Sequence, residues 1–237
     1  MPISIVYEDH NLLVINKPAG LIVHAKNATD NQPSVTSWVA ENYPELENVG
    51  EPFIASGTPL ARYGIVHRLD KDTSGLLIIA KNNEAFLNLK KQFQDHTIRK
   101  SYKALVYGHP KNPSGIIDSP LGRIGMKRTT QMIGNKLIDG KESITEYKTL
   151  QKFDKYTLLD VMPKTGRTHQ IRVHLKSIGC PVAGDLVYAP RGWQSPPGLD
   201  RLFLHAYKLS FITPDGKSLN LETDLPEELQ NVLNMLK

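Results

Sequence analysis

The chain has 237 residues, 40% of them apolar and 22% charged, an ordinary balance for a globular protein and enough length for a sizeable core. Its one cysteine, Cys180, excludes a disulfide within the chain and a cysteine-based zinc site, and suits a reducing compartment. Net charge is +5, but residues 61–130 hold 13 Lys and Arg against 5 Asp and Glu, whereas the remainder holds 16 against 19. Positive charge gathered in this way suits a polyanion, because each neutralised phosphate releases counterions. No apolar run approaches the roughly 20 residues that span a bilayer. The N-terminus lacks the basic start and apolar core of a signal peptide. These features predict a cytoplasmic protein that does not enter the membrane.

In chain order, residues 3–7 and 12–16 read as two short strands around an acidic turn. Where the second of them ends, Asn16 and Lys17 are expected to hold a turn, as structural support. A helix is expected over 35–43, after Pro33 and Ser34. The apolar run "GLLIIAK" has strand length, and Phe86, Leu89 and Phe93 then recur at helical spacing behind Asn82, a candidate N-cap. "IRKSYKALVYGH" alternates, with Tyr102, Ala104 and Val106 on one face and Lys103, Leu105 and Tyr107 on the other. "SITEYKTLQKF" and "YTLLDVMP" read as strands joined at Asp154 and Lys155. In "KTGRTHQIRVHLKSIGCP" Thr168 is the expected N-cap and Gly179 with Pro181 the stop. Ile171, Leu175 and Ile178 share one face of that helix, and His169, Arg172 and Lys176 another. A strand in "LFLHAYKLSFI" and a short C-terminal helix beginning near Pro226 complete the series. Strands dominate and helices intervene irregularly. The pattern predicts an α+β fold with a mixed, mostly antiparallel, bent sheet flanked by helices and loops, forming a single domain over 1–237 with no second domain.

The stretch "HRLDKDTSGLL" sets Asp70 among basic and small polar residues just ahead of a buried strand. By itself an aspartate there caps a turn and pairs with Arg68 or Lys71; held ionised by an arginine from elsewhere it could act as nucleophile or base. Ser74 lies in no G-x-S-x-G elbow, His169 and His174 are five apart rather than four, and neither a phosphate-binding loop nor a dinucleotide fingerprint is present. The residues leave open an enzyme without metal or cofactor, or a protein that is no enzyme.

"GIVHRLDKDTSGLLIIAK" and "TGRTHQIRVHL" resemble the two signature segments of the RluA family of RNA pseudouridine synthases. "VINKPAGLIVH", "KSYKALVYG" and "LFLHAYKL" match the same family in the same order, so the resemblance covers nearly the whole chain. It implies a pseudouridine-synthase catalytic domain that isomerises uridine in structured RNA and needs neither cofactor nor metal; nothing in the sequence suggests an obligate dimer, and a monomer is expected. The resemblance places the catalytic aspartate at Asp70, its arginine partner at Arg172 and the active-site tyrosine at Tyr102. It also gives Arg68 the role of filling the gap left by an extruded base. Lys71, Arg167, His169, Arg123, Lys127 and Arg128 are the expected further RNA contacts, the last three in a basic loop, "GRIGMKRTT". Large-subunit ribosomal RNA is the implied substrate and transfer RNA the second choice. Many relatives carry a small RNA-binding domain ahead of this unit; here the catalytic segments begin at the N-terminus. A catalytically idle RNA-binding module and a glycosidic-bond hydrolase remain as alternative functions.

Overall fold

Buried apolar runs and side-chain caps set most of the elements. A computed structural model describes residues 2–25, 27, 29–55, 57–124, 127–130, 140–190 and 192–237. Among them the chain divides into two compact units, Met1–Arg99 with Lys208–Thr223, and Lys100–Tyr207 with Asp224–Lys237.

In the first unit β1 (Ser4–Glu8) and β2 (Leu12–Lys17) form an antiparallel pair whose connecting turn is closed by Asp9. Its Oδ1 accepts the amide protons of Asn11 at 2.8 Å and Leu12 at 2.7 Å, which is why a short acidic stretch reverses the chain there. Helix α1 (Val35–Asn42) starts at Ser34, whose hydroxyl accepts from the Ser37 amide while Ser37 Oγ accepts from the Ser34 amide, a reciprocal cap. A small hairpin follows, β3 (Phe53–Ala55) with β4 (Thr58–Leu60), which sequence reading missed because neither strand is long enough to show a period. Strand β5 (Ser74–Ala80) is buried at every position and pairs antiparallel with β2. Helix α2 (Asn83–Gln94) begins as expected at Asn82, whose Oδ1 accepts the Ala85 amide proton at 2.9 Å, and it buries Ala85, Phe86 and Leu89.

Gly64 lies ahead of the "HRLD" segment with φ +73°, and a Cβ added there would stand 1.9 Å from the Ala80 carbonyl oxygen. Neither backbone can yield cheaply. Gly64→Ala should therefore cost about 2 kcal/mol or more, seen as a lowered midpoint in urea titration.

In the second unit β6 (Arg99–Tyr107), β7 (Ser114–Asp118), β8 (Gly122–Ile124), β9 (Lys127–Thr129), β10 (Ile144–Lys152) and β11 (Tyr156–Pro163) precede helix α3 (Gln170–Ser177). The neighbours β6, β11, β10 and β7 are antiparallel in that order. The alternation of β6 divides two cores. Ala104 and Val106 pack with Ile171 and Leu175 of α3, and Leu105 and Tyr107 pack with Leu229 and Val232 of the C-terminal helix. Strand β12 (Leu204–Ile212) begins in this unit and continues in the first, where Lys208–Ile212 pairs with β13 (Ser218–Glu222); α4 (Glu227–Met235), again of the second unit, is the last element. Antiparallel hairpins with helices set irregularly between them give the α+β class the sequence predicts.

Candidate active site

The aspartate-bearing loop of the first unit is fixed from beneath by side chains that the signature segments supply. Ile65 and Leu69 are buried, whereas Arg68, Lys71 and Asp72 are exposed and Asp70 is half-buried. The Asp70 carbonyl accepts the Thr73 amide proton at 3.2 Å, which makes the turn that leads into β5. Lys17, at the end of β2, has no exposed surface, and its ammonium donates to the carbonyls of Pro18 at 2.8 Å, Leu21 at 2.7 Å and Lys71 at 3.0 Å. All three protons of the ammonium thus hold backbone, and Gly20 N–H reaches the same Lys71 carbonyl at 2.9 Å. His67 accepts the Ile78 amide proton through Nε2 at 2.9 Å and stacks on Phe93 with ring centroids 4.7 Å apart. Asn16 donates to Thr223 Oγ1 at 3.3 Å. Lys17 holds the turn as expected, whereas Asn16 reaches across to Thr223. Lys17→Met keeps the length and takes the ammonium from three carbonyls, of which that of Lys71 keeps the Gly20 amide. It should cost about 2–3 kcal/mol and lower activity along with the unfolding midpoint.

In the second unit Tyr102 stands on β6 opposite Val161 of β11 and packs partly against the core beneath α3. The loop before α3 is organised by Gln170. Its Oε1 accepts from Thr165 Oγ1 at 2.7 Å and the Arg167 amide at 3.0 Å, while its Nε2 donates to the Ile144 carbonyl at 2.9 Å. That network corrects the expected cap at Thr168. Thr168 is exposed, and the N-cap is His169, left-handed at φ 59° with no side-chain cap of its own. His174, buried below, shares hydrogen bonds with Thr145 Oγ1 and the Ser119 carbonyl, both at 2.9 Å.

Arg172 is no solvated helix residue. It is 6% exposed, and Asp185 engages it with both oxygens, Nε to Oδ2 at 2.7 Å and Nη2 to Oδ1 at 2.8 Å. The Asp185 side chain has no exposed surface, and its Oδ1 also accepts the amide protons of Val187 at 2.9 Å and Tyr188 at 3.0 Å. Burial pushes the Asp185 carboxyl up, but Arg172 and the two amides outweigh it and hold the group below its ordinary value. Gly184, at φ +74°, allows the approach of this turn to the Arg201 carbonyl, which a Cβ would meet at 2.1 Å. The Tyr188 ring lies under both Arg172 at 5.0 Å and Lys176 at 5.9 Å. Its hydroxyl shares a 2.8 Å hydrogen bond with His169 Nδ1 and accepts the Arg128 amide proton at 3.2 Å.

Of the residues singled out from sequence, the structure thus gathers Arg128, His169 and Arg172 around Tyr188 in the second unit. Arg68, Asp70 and Lys71 stand together in the first. Arg167 is exposed and its Nε reaches the Glu142 carbonyl at 3.3 Å. Arg123, Lys127 and Arg128 are not in a loop, which is a correction. Their backbones form a two-stranded ladder with Arg123 opposite Arg128 and Ile124 opposite Lys127, a pairing that three-residue strands do not announce. Asp185 and Tyr188 were missed. No spacing ties "GDLVY" to Arg172 thirteen residues back, and a helix face shared with His169 and Lys176 gives no sign that the arginine is buried against a carboxylate.

With that geometry in hand, residues 11–177 match the family model described as RNA pseudouridylate synthase. The chain belongs to this family, within its RluA branch, and is an RNA pseudouridine synthase. Over its whole length it is 38% identical to the ribosomal large subunit pseudouridine synthase D of Zymomonas mobilis, of which it spans 73%. It is 39% identical to the protein of the same name from Nitrosomonas europaea, of which it spans 66%. Among solved structures, human RNA pseudouridylate synthase domain containing 4 superposes with a TM-score of 0.75 at 26% identity, covering 99% of this chain and 94% of that one. No helix among the described residues is long and apolar enough to cross a membrane.

Proposed function

We propose that this synthase acts on a uridine of large-subunit ribosomal RNA, with Asp70 as its catalytic carboxylate, Arg172 as the ionic partner of that carboxylate and Tyr102 as the ring that stacks on the flipped base. The observation that carries the reading is the run of five family segments in order, with all three residues in place. In the reaction the bond from ribose to the uracil nitrogen breaks, the base turns, a bond to carbon 5 forms, the hydrogen of that carbon leaves to solvent as a proton, and the freed nitrogen takes up a proton in its place. A carboxylate can serve by attacking covalently or by stabilising positive character at the sugar, and then by taking part in proton transfer. A guanidinium has five N–H donors and Asp185 takes two, so that pair is compatible with a second carboxylate on Arg172. Arg68 would occupy the place of the extruded base, repaying part of the few kcal/mol that flipping costs. Lys71, Arg123, Lys127, Arg128, Arg167 and His169 would meet the RNA backbone.

The same proposal takes 1–237 as one catalytic domain acting as a monomer in the cytoplasm; light scattering reading twice the chain mass would remove the monomer. The direct test is tritium release from RNA carrying 5-tritiated uridine, on large-subunit ribosomal and transfer RNA transcripts side by side. Release from the ribosomal transcript is expected. Release from transfer RNA alone would replace the substrate, and free uracil would show a hydrolase instead.

A further inference from the structure

The first unit carries a second basic cluster that the chemistry at Asp70 does not use. The rings of His24 and Phe53 lie with centroids 5.0 Å apart, and the Arg62 guanidinium sits over the same Phe53 ring at 5.6 Å. Phe53 opens the β3–β4 hairpin, whose next residue, Ile54, is exposed. Thr36 Oγ1 donates its proton to the Val23 carbonyl at 2.9 Å, so in the 2.8 Å contact between His24 Nδ1 and that hydroxyl the imidazole is the donor. The lone pair of the neutral ring is then on Nε2. The groups that act on the ring are the Thr36 hydroxyl and the guanidiniums of Arg62 and Arg68. Burial first, then the two arginine charges, push His24 down to about 4. At neutral pH the ring is uncharged between two cations.

Neither arginine forms an ion pair among the described residues, and Arg62 Nε is buried with no hydrogen-bond acceptor. A buried guanidinium donor without an acceptor is costly. The charge of Glu51 also reaches Arg62, but its carboxylate is bonded to Lys90 at 2.6 Å, so among the described residues positive charge around His24 is not answered by an ion pair. The ligand that answers both is an anion with more than one oxygen, since the planar fork of arginine matches a phosphate in two places. On a protein that acts on RNA, that anion is a backbone phosphate.

We propose that Arg62 and His24, beside Arg68, form a phosphodiester-binding subsite for the RNA substrate, with the Phe53 ring holding the Arg62 guanidinium in place. The proposal rests on RNA as substrate and not on the role of Asp70. A phosphate there would supply the missing acceptor to Arg62 and lower the positive potential around His24, whose Nε2 then binds a proton and becomes a donor.

The test measures RNA affinity against salt in the Asp70→Asn background, on a large-subunit ribosomal RNA transcript, so that turnover does not intervene. Arg62→Gln should weaken binding about tenfold at 0.1 M salt and reduce the slope of log affinity against log salt by about one, the signature of one lost phosphate contact. A merely structural role for Arg62 leaves that slope unmoved. Arg62→Lys, which keeps the charge, should keep the slope. His24→Gln should weaken binding and flatten its strengthening between pH 7.5 and 5.5. If Arg62→Gln folds poorly, the His24→Gln profile decides: a pH dependence identical to the parent's overturns the subsite, as does an unchanged slope in a folded Arg62→Gln. Tritium release by the wild type shows that the synthase reading stands whichever way the subsite falls. A wild type that neither binds nor modifies either RNA class removes both.

Discussion

Asp70→Asn should bind RNA at least as tightly as the wild type and release no tritium above background, a fall in kcat of about four orders of magnitude or more. The substitution keeps size and shape and removes only the charge. Asp70 is half-buried, and the bond that shapes its turn, from the Thr73 amide to the Asp70 carbonyl, belongs to the backbone. The clamp of Lys17 on the Lys71 carbonyl is likewise blind to the side chain at 70. The turn and the fold should therefore persist, which circular dichroism would verify, and a shift in the urea midpoint would report what the proposed pairing with Arg172 adds to stability. Removing one negative charge from the loop also lessens repulsion of the phosphate backbone. What is lost is the group proposed to attack or to stabilise the sugar, and neither task survives conversion to an amide. Asp72, exposed two residues on, supplies the control. Asp72→Asn should stay within about threefold of the wild type, as expected of an exposed charge outside the chemistry. Turnover by Asp70→Asn within tenfold of the wild type would move the catalytic role elsewhere.

How much of this was legible in the sequence depends on the range of the interactions involved. The cap at Asn82, the acidic turn closed by Asp9 and the alternation that splits β6 between two cores are local or periodic, and residue order carries them directly. The start of α3 was misjudged by one residue because a long-range contact outranks a local preference. Gln170 spends its amide on Thr165, Arg167 and Ile144, so the threonine that would ordinarily cap the helix is left at the surface. The hairpins β3–β4 and β8–β9 are too short for a period to register. For Asp70, Tyr102 and Arg172 the motif context named the positions, but periodicity alone placed Arg172 on a polar helix face. Its burial against Asp185 follows from a turn in "GDLVY" that no pattern in the helix foretells. The anchoring of Asp70 by Lys17 was legible only in outline. A lysine beside a proline suggests a turn, not an ammonium with all three protons committed to carbonyls.

Asp185→Ala is the substitution with the largest expected effect on stability, about 3–5 kcal/mol. It leaves the guanidinium of Arg172, 6% exposed, with two donors facing a cavity, and it strips the amides of Val187 and Tyr188 of their acceptor. A buried charge that loses a bidentate carboxylate is penalised far more than the pair itself contributes. The effect should reach the site as well, because the Tyr188 ring beneath Arg172 also holds His169 through its hydroxyl. Asp185→Asn retains the shape and one acceptor oxygen, and should fall between Asp185→Ala and the wild type. The pH dependence separates the charge from the packing. The folded carboxyl of Asp185 titrates below its unfolded value, which is near 3.9, so its contribution is complete above that value and is lost as pH falls toward the folded one. Urea midpoints taken from pH 7 down to pH 3 should therefore decline more steeply for the wild type below about pH 4 than for Asp185→Asn, which has no proton to take up at this position. Parallel declines would mean that the Arg172–Asp185 ion pair contributes no charge-dependent stability, and that Arg172 is held by its other contacts, the Tyr188 ring among them.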